Sequence, residues 1–463
     1  MKRKLTSIFC LFLTCACLRA GDAATAAPTT SSSLFRDGDR WMAVGDSITE
    51  GGTYYAWVYL YYATRFPGID LKVMNGGVGG DSLYKVLLRY DWDIAPRHPS
   101  VATVMLGMND VQRQFYVADA TPKMIADREA AIDAYGERLR VLAKRIHDEG
   151  TRLIFLTPSP FDDTADIVSD RFTGVNGALA RCADLVREVA AENGDPVVDL
   201  HGPMTALTAR LQAADPAATI IGPDRTHPRE AGNFVMAYHI LKAQGASAIV
   251  SDITIDAGAD RVTGAVNAKI DQLRTTTSSV EFTLLESALP YPLHKSVMPA
   301  LAWVPFNQDF NREILRVTGL GSGLYRLEID GVRIRDYQAD ELTAGVDLAA
   351  ETATPQTRQA TQVLALVRSW QDMISQRDRA IASIEHRHLR DWSRPIDYAK
   401  AKSFLEEKLS ASPPPPAWDQ RKMQAYIELK PRAEEVAAEI AATEGKIREA
   451  AKPRPHVYRL IRL

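Results

Sequence analysis

Val101-Ala102-Thr103-Val104-Met105-Leu106-Gly107-Met108-Asn109-Asp110 is a six-residue apolar run that ends abruptly on a polar turn. A near-continuous apolar run of that length is what a strand covered on both faces requires, and such strands belong to parallel sheets flanked by helices. Working outward, shorter apolar runs stand at 41–44, 71–74, 153–157 and 197–200. Helical patterns separate them at 53–66, 82–90, 121–147 and 175–191, and one more follows at 229–244. The alternation predicts a three-layer α/β/α sandwich with a parallel sheet over 38–250. Ligands in such sheets gather beyond the carboxyl ends of the strands, so the residues just after each run are where chemistry is expected.

Those residues are polar and specific. The first run is followed by Gly45-Asp46-Ser47-Ile48-Thr49-Glu50-Gly51-Gly52, the second by Asn75-Gly76-Gly77-Val78-Gly79-Gly80-Asp81-Ser82, and the last helix is preceded by Asp224-Arg225-Thr226-His227-Pro228. Pro228 suits a first helical position, which sets His227 at the helix start. A serine hydroxyl becomes a nucleophile when a positioned base takes its proton, and a histidine has the right basicity. Ser47 and His227 supply that pair, and Asp224 is placed to orient the imidazole. The Ser47 N–H, a glycine N–H of the second turn and the Asn109 amide would serve a developing oxyanion. The glycine run lacks both a Lys-Ser/Thr ending and G-x-G-x-x-G spacing, which disfavours a nucleotide. Asp199, a competing acid, reads as a loop cap.

Together GDSIT, NGGVGGDS, GMND and DRTHP resemble, in order and context, the SGNH (GDSL) hydrolases, a family of serine esterases, lipases and carbohydrate deacetylases. The resemblance covers about residues 38–246. It implies Ser47 as nucleophile, His227 as base and Asp224 as its support, with an oxyanion hole from Ser47, Asn109 and Gly80, Gly79 being the alternative glycine. It calls for no cofactor. The remaining histidines form no metal motif, and His386-Arg387-His388 reads as a solvated helical face. Tyr54, Tyr55, Trp57, Tyr59, Tyr61 and Tyr62 crowd one helix, where core packing is a better use than a sugar-stacking platform.

The chain has 463 residues, enough for about three folding units. Lys and Arg number 55 against 58 Asp and Glu, so no broad positive field argues for nucleic acid as a partner. Met1-Lys2-Arg3-Lys4 followed by a short apolar run to Leu18 predicts a signal peptide over 1–26 and a linker over 27–37, hence a secreted or periplasmic protein without stable membrane insertion. Three of the four Cys lie in that leader, leaving Cys182 alone, so no disulfide framework is expected. Alternating patterns with an Asp330-Gly331 hairpin signal predict a small antiparallel β module at 251–350. A helical region is expected at 351–463, opened by Thr354-Pro355, with apolar stripes that either close the domain or form a homodimer. The functional expectation is a serine esterase acting through an acyl-Ser47 intermediate on an O-acetylated carbohydrate or another ester. A lipase or lysophospholipase-like esterase and a glycan-binding or scaffolding protein are the alternatives.

Overall fold

The structure, a computed structural model, describes residues 34–170 and 172–463. The expected signal peptide and most of the linker lie outside the described residues.

Five strands, β1 (Arg40–Gly45), β2 (Lys72–Gly77), β3 (Val101–Met105), β4 (Arg152–Leu156) and β5 (Val197–Val198), form a parallel sheet in the order β2-β1-β3-β4-β5. Every residue of β3 is buried, as its apolar run requires. The register aligns the strand ends: Gly45 pairs with Gly77 on one side and Met105 on the other. The polar turns after β1, β2 and β3 therefore emerge at one edge. The second strand runs further than its apolar pattern, because Asn75, Gly76 and Gly77 pair with Ala43, Val44 and Gly45.

The flanking helices are α1 (Ser47–Glu50), α2 (Tyr54–Arg65), α3 (Leu83–Arg89), α4 (Pro122–Asp148), α5 (Val175–Asn193), α6 (His201–Gln212) and α7 (Glu230–Ala243). Thr121 caps α4 by accepting the Met124 N–H, with Pro122 in its first turn. All six aromatic residues singled out on α2 are buried. Pro228 falls before α7 and not inside it. The His227 carbonyl accepts the Gly222 N–H at 2.8 Å, and this turn contact holds 227–228 outside the helix.

Beyond this sheet come β6 (Ile249–Asp256), β7 (Arg261–Val266), β8 (Ala268–Thr275), β9 (Ser279–Glu286), α8 (Phe306–Phe310), β10 (Arg312–Thr318), β11 (Leu324–Ile329), β12 (Val332–Gln338), α9 (Ala339–Ala344) and β13 (Val346–Asp347). After them run α10 (Pro355–Asp372), α11 (Arg379–His388), α12 (Tyr398–Leu409), α13 (Ala417–Leu429), α14 (Ala433–Ala450) and β14 (His456–Arg462). The strands make a four-stranded sheet, β13-β10-β6-β7, and a five-stranded one, β12-β11-β14-β9-β8. All pairs are antiparallel except β10 with β6. Ile253, Phe282, Leu315, Leu327 and Tyr458 lie in their shared core.

The last strand corrects the expectation of helix through 351–463. It inserts between β9 and β11, burying His456, Tyr458 and Leu460 while Val457 and Arg459 face outward. Tyr458 stacks on Phe282 with ring centroids 5.0 Å apart, so partners distant in sequence stabilise a strand whose own alternation is short. Helix α10 starts as expected at Thr354, whose hydroxyl accepts the Thr357 N–H, and a 3₁₀ turn at Pro431 separates α13 from α14. The stripe of α10 is covered within the chain: Val363, Val367 and Trp370 join the core around the parallel sheet, with Trp370 4.7 Å from the Tyr59 ring. Among the described residues no helix is long and apolar enough to cross a membrane.

Candidate active site

At the end of β1, Asp46 caps α1 by accepting the Ile48 N–H at 2.9 Å, which sets Ser47 at the first helical position. Its Oγ lies 2.7 Å from His227 Nε2, although 180 residues separate the two in sequence. On the other side of the ring, His227 Nδ1 lies 2.7 Å from Asp224 Oδ2. With Nδ1 protonated toward the carboxylate, Nε2 keeps a lone pair directed at the serine hydroxyl. Asp224 Oδ1 also accepts the N–H groups of Thr226 at 3.1 Å and His227 at 3.0 Å, closing the turn on itself. Burial acts to raise Asp224; hydrogen bonds from the His227 ring and from these backbone groups outweigh it and hold the carboxyl well below the usual carboxylate range.

Arg225, inside this turn, adopts a left-handed backbone at φ 61° and is fully buried. Its guanidinium donates to the carbonyls of Asp162, Ala165 and Ile167 at 2.9–3.0 Å and to Ser169 Oγ at 3.0 Å, anchoring the segment that carries Asp224 and His227. The only local signal of this in the sequence is an arginine between two functional residues.

Asn109 Nδ2 donates to the Asp81 carbonyl at 2.8 Å and toward Asp46 Oδ2 at 3.3 Å, so the amide stands between the first and second turns. The two candidate glycines differ. The Gly79 N–H is committed to Glu50 Oε2 at 3.0 Å, whereas the Gly80 N–H has no acceptor among the described residues. Gly80 sits at φ +79°, a left-handed conformation that glycine adopts without strain. The Ser47 N–H likewise has no acceptor among the described residues. The structure therefore brings Ser47, Gly80, Asn109, Asp224 and His227 to one edge of the sheet. Asp199 is committed elsewhere, to Thr157 Oγ1 at 2.9 Å, the Gly202 N–H at 3.2 Å and Arg187 at 3.0 Å. Among the described residues no group of three or more His, Cys, Asp or Glu is arranged to hold a metal ion.

The profile of the GDSL-like Lipase/Acylhydrolase family matches residues 43–234. A gut microbial diltiazem-metabolizing enzyme is similar along nearly the whole length, at 32% identity over 94% of this chain and 99% of that one, with a TM-score of 0.86. The chain belongs to the GDSL-like lipase/acylhydrolase family. It is a hydrolase of carboxylic ester bonds. An acetylxylan esterase from Geobacillus stearothermophilus is 24% identical over 223 residues, which are 45% of this chain and 94% of that protein. A crystal structure of an acetylxylan esterase from that organism aligns over 45% of this chain and 95% of its own, with a TM-score of 0.37.

In this GDSL-like hydrolase the glycine turn is held by buried charge. Arg89 donates to Asp81 Oδ2 at 2.7 Å, to Asp93 at 2.5 Å and to the Gly76 carbonyl at 2.7 Å. From α11, Arg379 donates to the Gly77 carbonyl at 3.0 Å and to both oxygens of Asp93 at 2.8 and 2.9 Å. Burial would raise Asp93, but the Arg379 and Arg89 charges outweigh it and hold the carboxyl far below its ordinary range. His386 Nε2 lies 3.0 Å from Asp81 Oδ1. Lys422 on α13 pairs at 2.6 Å with Glu50, the last residue of α1.

These contacts overturn the solvated-face expectation for His386-Arg387-His388. His386 is buried against Asp81, His388 lies 3.1 Å from Asp419, and Arg387 reaches the glycine turn. The physical reason is that α11 packs against the carboxyl end of the sheet, where buried carboxylates require cationic partners. The carboxyl of Asp46, fully buried, is pushed up to about 7 by burial, against the lowering effects of the Ile48 N–H and His227. The aromatic residues of α2 lie in the core, not on a substrate-facing platform.

Proposed function

We propose that this chain is a secreted esterase that removes an O-acetyl group from a carbohydrate through an acyl-Ser47 intermediate. The observation that carries the mechanism is the chain of two 2.7 Å contacts from Ser47 Oγ through His227 to Asp224. Ser47 Oγ attacks the ester carbonyl while His227 takes its proton, and Asp224 stabilises the resulting imidazolium. The N–H groups of Ser47 and Gly80 and the Asn109 amide receive the oxyanion. His227 then returns the proton to the departing sugar oxygen. Water, deprotonated by the same imidazole, attacks the acetyl-serine, releasing acetate and restoring the hydroxyl.

The curated acetylxylan esterase supports an acetylated carbohydrate, and the basic, then apolar, start of the sequence supports export. The full-length similarity to a diltiazem-metabolizing enzyme favours a second reading, a small soluble acetate ester. Acetate release from acetylated xylo-oligosaccharides and from diltiazem, followed side by side, separates them. Turnover of the oligosaccharide at the higher kcat/KM is the expected result. Turnover of diltiazem alone would replace the carbohydrate reading with the second one, and a rising preference along an acetate, butyrate and octanoate ester series would point to a lipase.

A further inference from the structure

Arg387 stands beside the nucleophile with its charge unspent. A side-chain carbon built on Gly79 would lie 3.7 Å from Ser47 Cβ and 3.9 Å from Arg387 Nη1, so serine and guanidinium flank the same glycine. Of the other charged side chains at this turn, Lys85 donates its Nζ to the Gly80 carbonyl at 2.7 Å. Glu50 holds Lys422 and the Gly79 N–H, and Asp81 holds Arg89 with His386 alongside. Arg387 is half-buried, yet it has no hydrogen-bond or ion-pair partner among the described residues. It is held in place by stacking: its guanidinium lies 4.1 Å from the ring centroid of Trp418, an exposed residue.

A guanidinium is costly to withdraw from water without an acceptor, and its planar fork matches a carboxylate. Stacking on Trp418 fixes the plane of that fork before any ligand arrives, which lowers the ordering cost of binding. We propose that Arg387, seated on Trp418, is the subsite for a carboxylate carried by the alcohol half of the ester. This rests on the acetylesterase reading above: an acetyl group has no place for a charge, so the anion must belong to what leaves. The favoured substrate class is then an O-acetylated acidic sugar or a comparable acetoxy acid. Arg387 acts as a specificity-determining residue from the C-terminal helices.

The test compares kcat/KM for 4-acetoxybenzoate and its neutral counterpart 4-acetoxybenzamide, using the full chain and its Arg387→Gln and Arg387→Lys variants. A charge-assisted contact predicts that the wild type prefers the anionic ester by about ten-fold or more. The preference should shrink as salt is raised, collapse in R387Q and return only in part in R387K, which restores the charge without the planar fork. A merely structural role for Arg387 would slow both esters together and leave their ratio unchanged. A wild-type ratio near one, or the same ratio in R387Q, overturns the subsite. Failure of the carbohydrate reading looks different: acetylated sugars are not cleaved, while the aryl ratio and its dependence on Arg387 persist.

Discussion

Arg379 Nε donates to the carbonyl of Gly77 at 3.0 Å across 302 residues of sequence, so a C-terminal helix holds the backbone of the glycine turn. The same guanidinium chelates Asp93, and neither side chain is exposed by more than 2%. Arg379→Met leaves the Gly77 carbonyl without its donor and Asp93 with only part of its compensation. Breaking one side of such a buried pair destabilises by roughly 3–5 kcal/mol. Urea denaturation of the variant should show that loss as a lower midpoint. A change under about 1 kcal/mol would mean that the network relaxes around the missing charge.

Asp224 accepts three hydrogen bonds from its own turn, one of them from the His227 ring. Asp224→Asn removes the charge that stabilises the imidazolium and no longer selects the tautomer that accepts the serine proton. The expected effect on kcat is a fall of roughly 10²–10⁴, with KM changed only a few-fold. Steady-state kinetics on p-nitrophenyl acetate measures both. A kcat within a factor of a few of wild type would assign orientation of the imidazole to another group.

Asn109 is placed to receive the oxyanion and also braces Asp46 and the Asp81 carbonyl. Asn109→Ala should cost roughly 10²–10³ in kcat, the usual toll for one oxyanion donor. The same kinetic series checks it. A rise in KM at constant kcat would place Asn109 in ground-state binding instead.

The β module carries a pH-sensitive carboxyl. Glu286 is buried between Ser251, which donates to it at 2.5 Å, and Gln356, at 3.1 Å, and burial pushes it up to about 7. Its ordinary value is 4.5, so between about 4.5 and 7 the folded protein holds a proton that the unfolded chain has released. Stability therefore falls as pH rises through that window, by up to about 1.4 kcal/mol per pH unit for one proton, and levels off above it. Asp46 and Asp110, also pushed up to about 7 by burial, act in the same direction. Glu286→Gln removes one share of the decline, so its urea midpoint should drop less steeply with pH than that of the wild type. Parallel curves would show that Glu286 does not titrate in this range.

The parts of the fold and site that could be read from sequence are those with local causes. Residues 101–106 announce a buried strand by composition alone, and Ser47, Asn109, Asp224 and His227 stand in turns whose residue types suit the chemistry. The choice between Gly79 and Gly80 was not local, because it depends on the Glu50 carboxylate that captures one of the two N–H groups. Nor was the burial of His386, which faces an aspartate 305 positions earlier; a contact at that separation leaves no periodic trace. Strand β14 was hidden for a related reason. Its three inward residues follow a long helix, and the neighbours that make it a strand, β9 and β11, lie far upstream.

The central claim, that Ser47 is the nucleophile, is tested most directly by p-nitrophenyl acetate hydrolysis with the wild type and the Ser47→Ala variant at equal concentration. Loss of turnover by roughly 10³-fold or more in S47A, with an unchanged denaturation midpoint, is the predicted result. A folded S47A enzyme that still releases p-nitrophenol at the wild-type rate would contradict it.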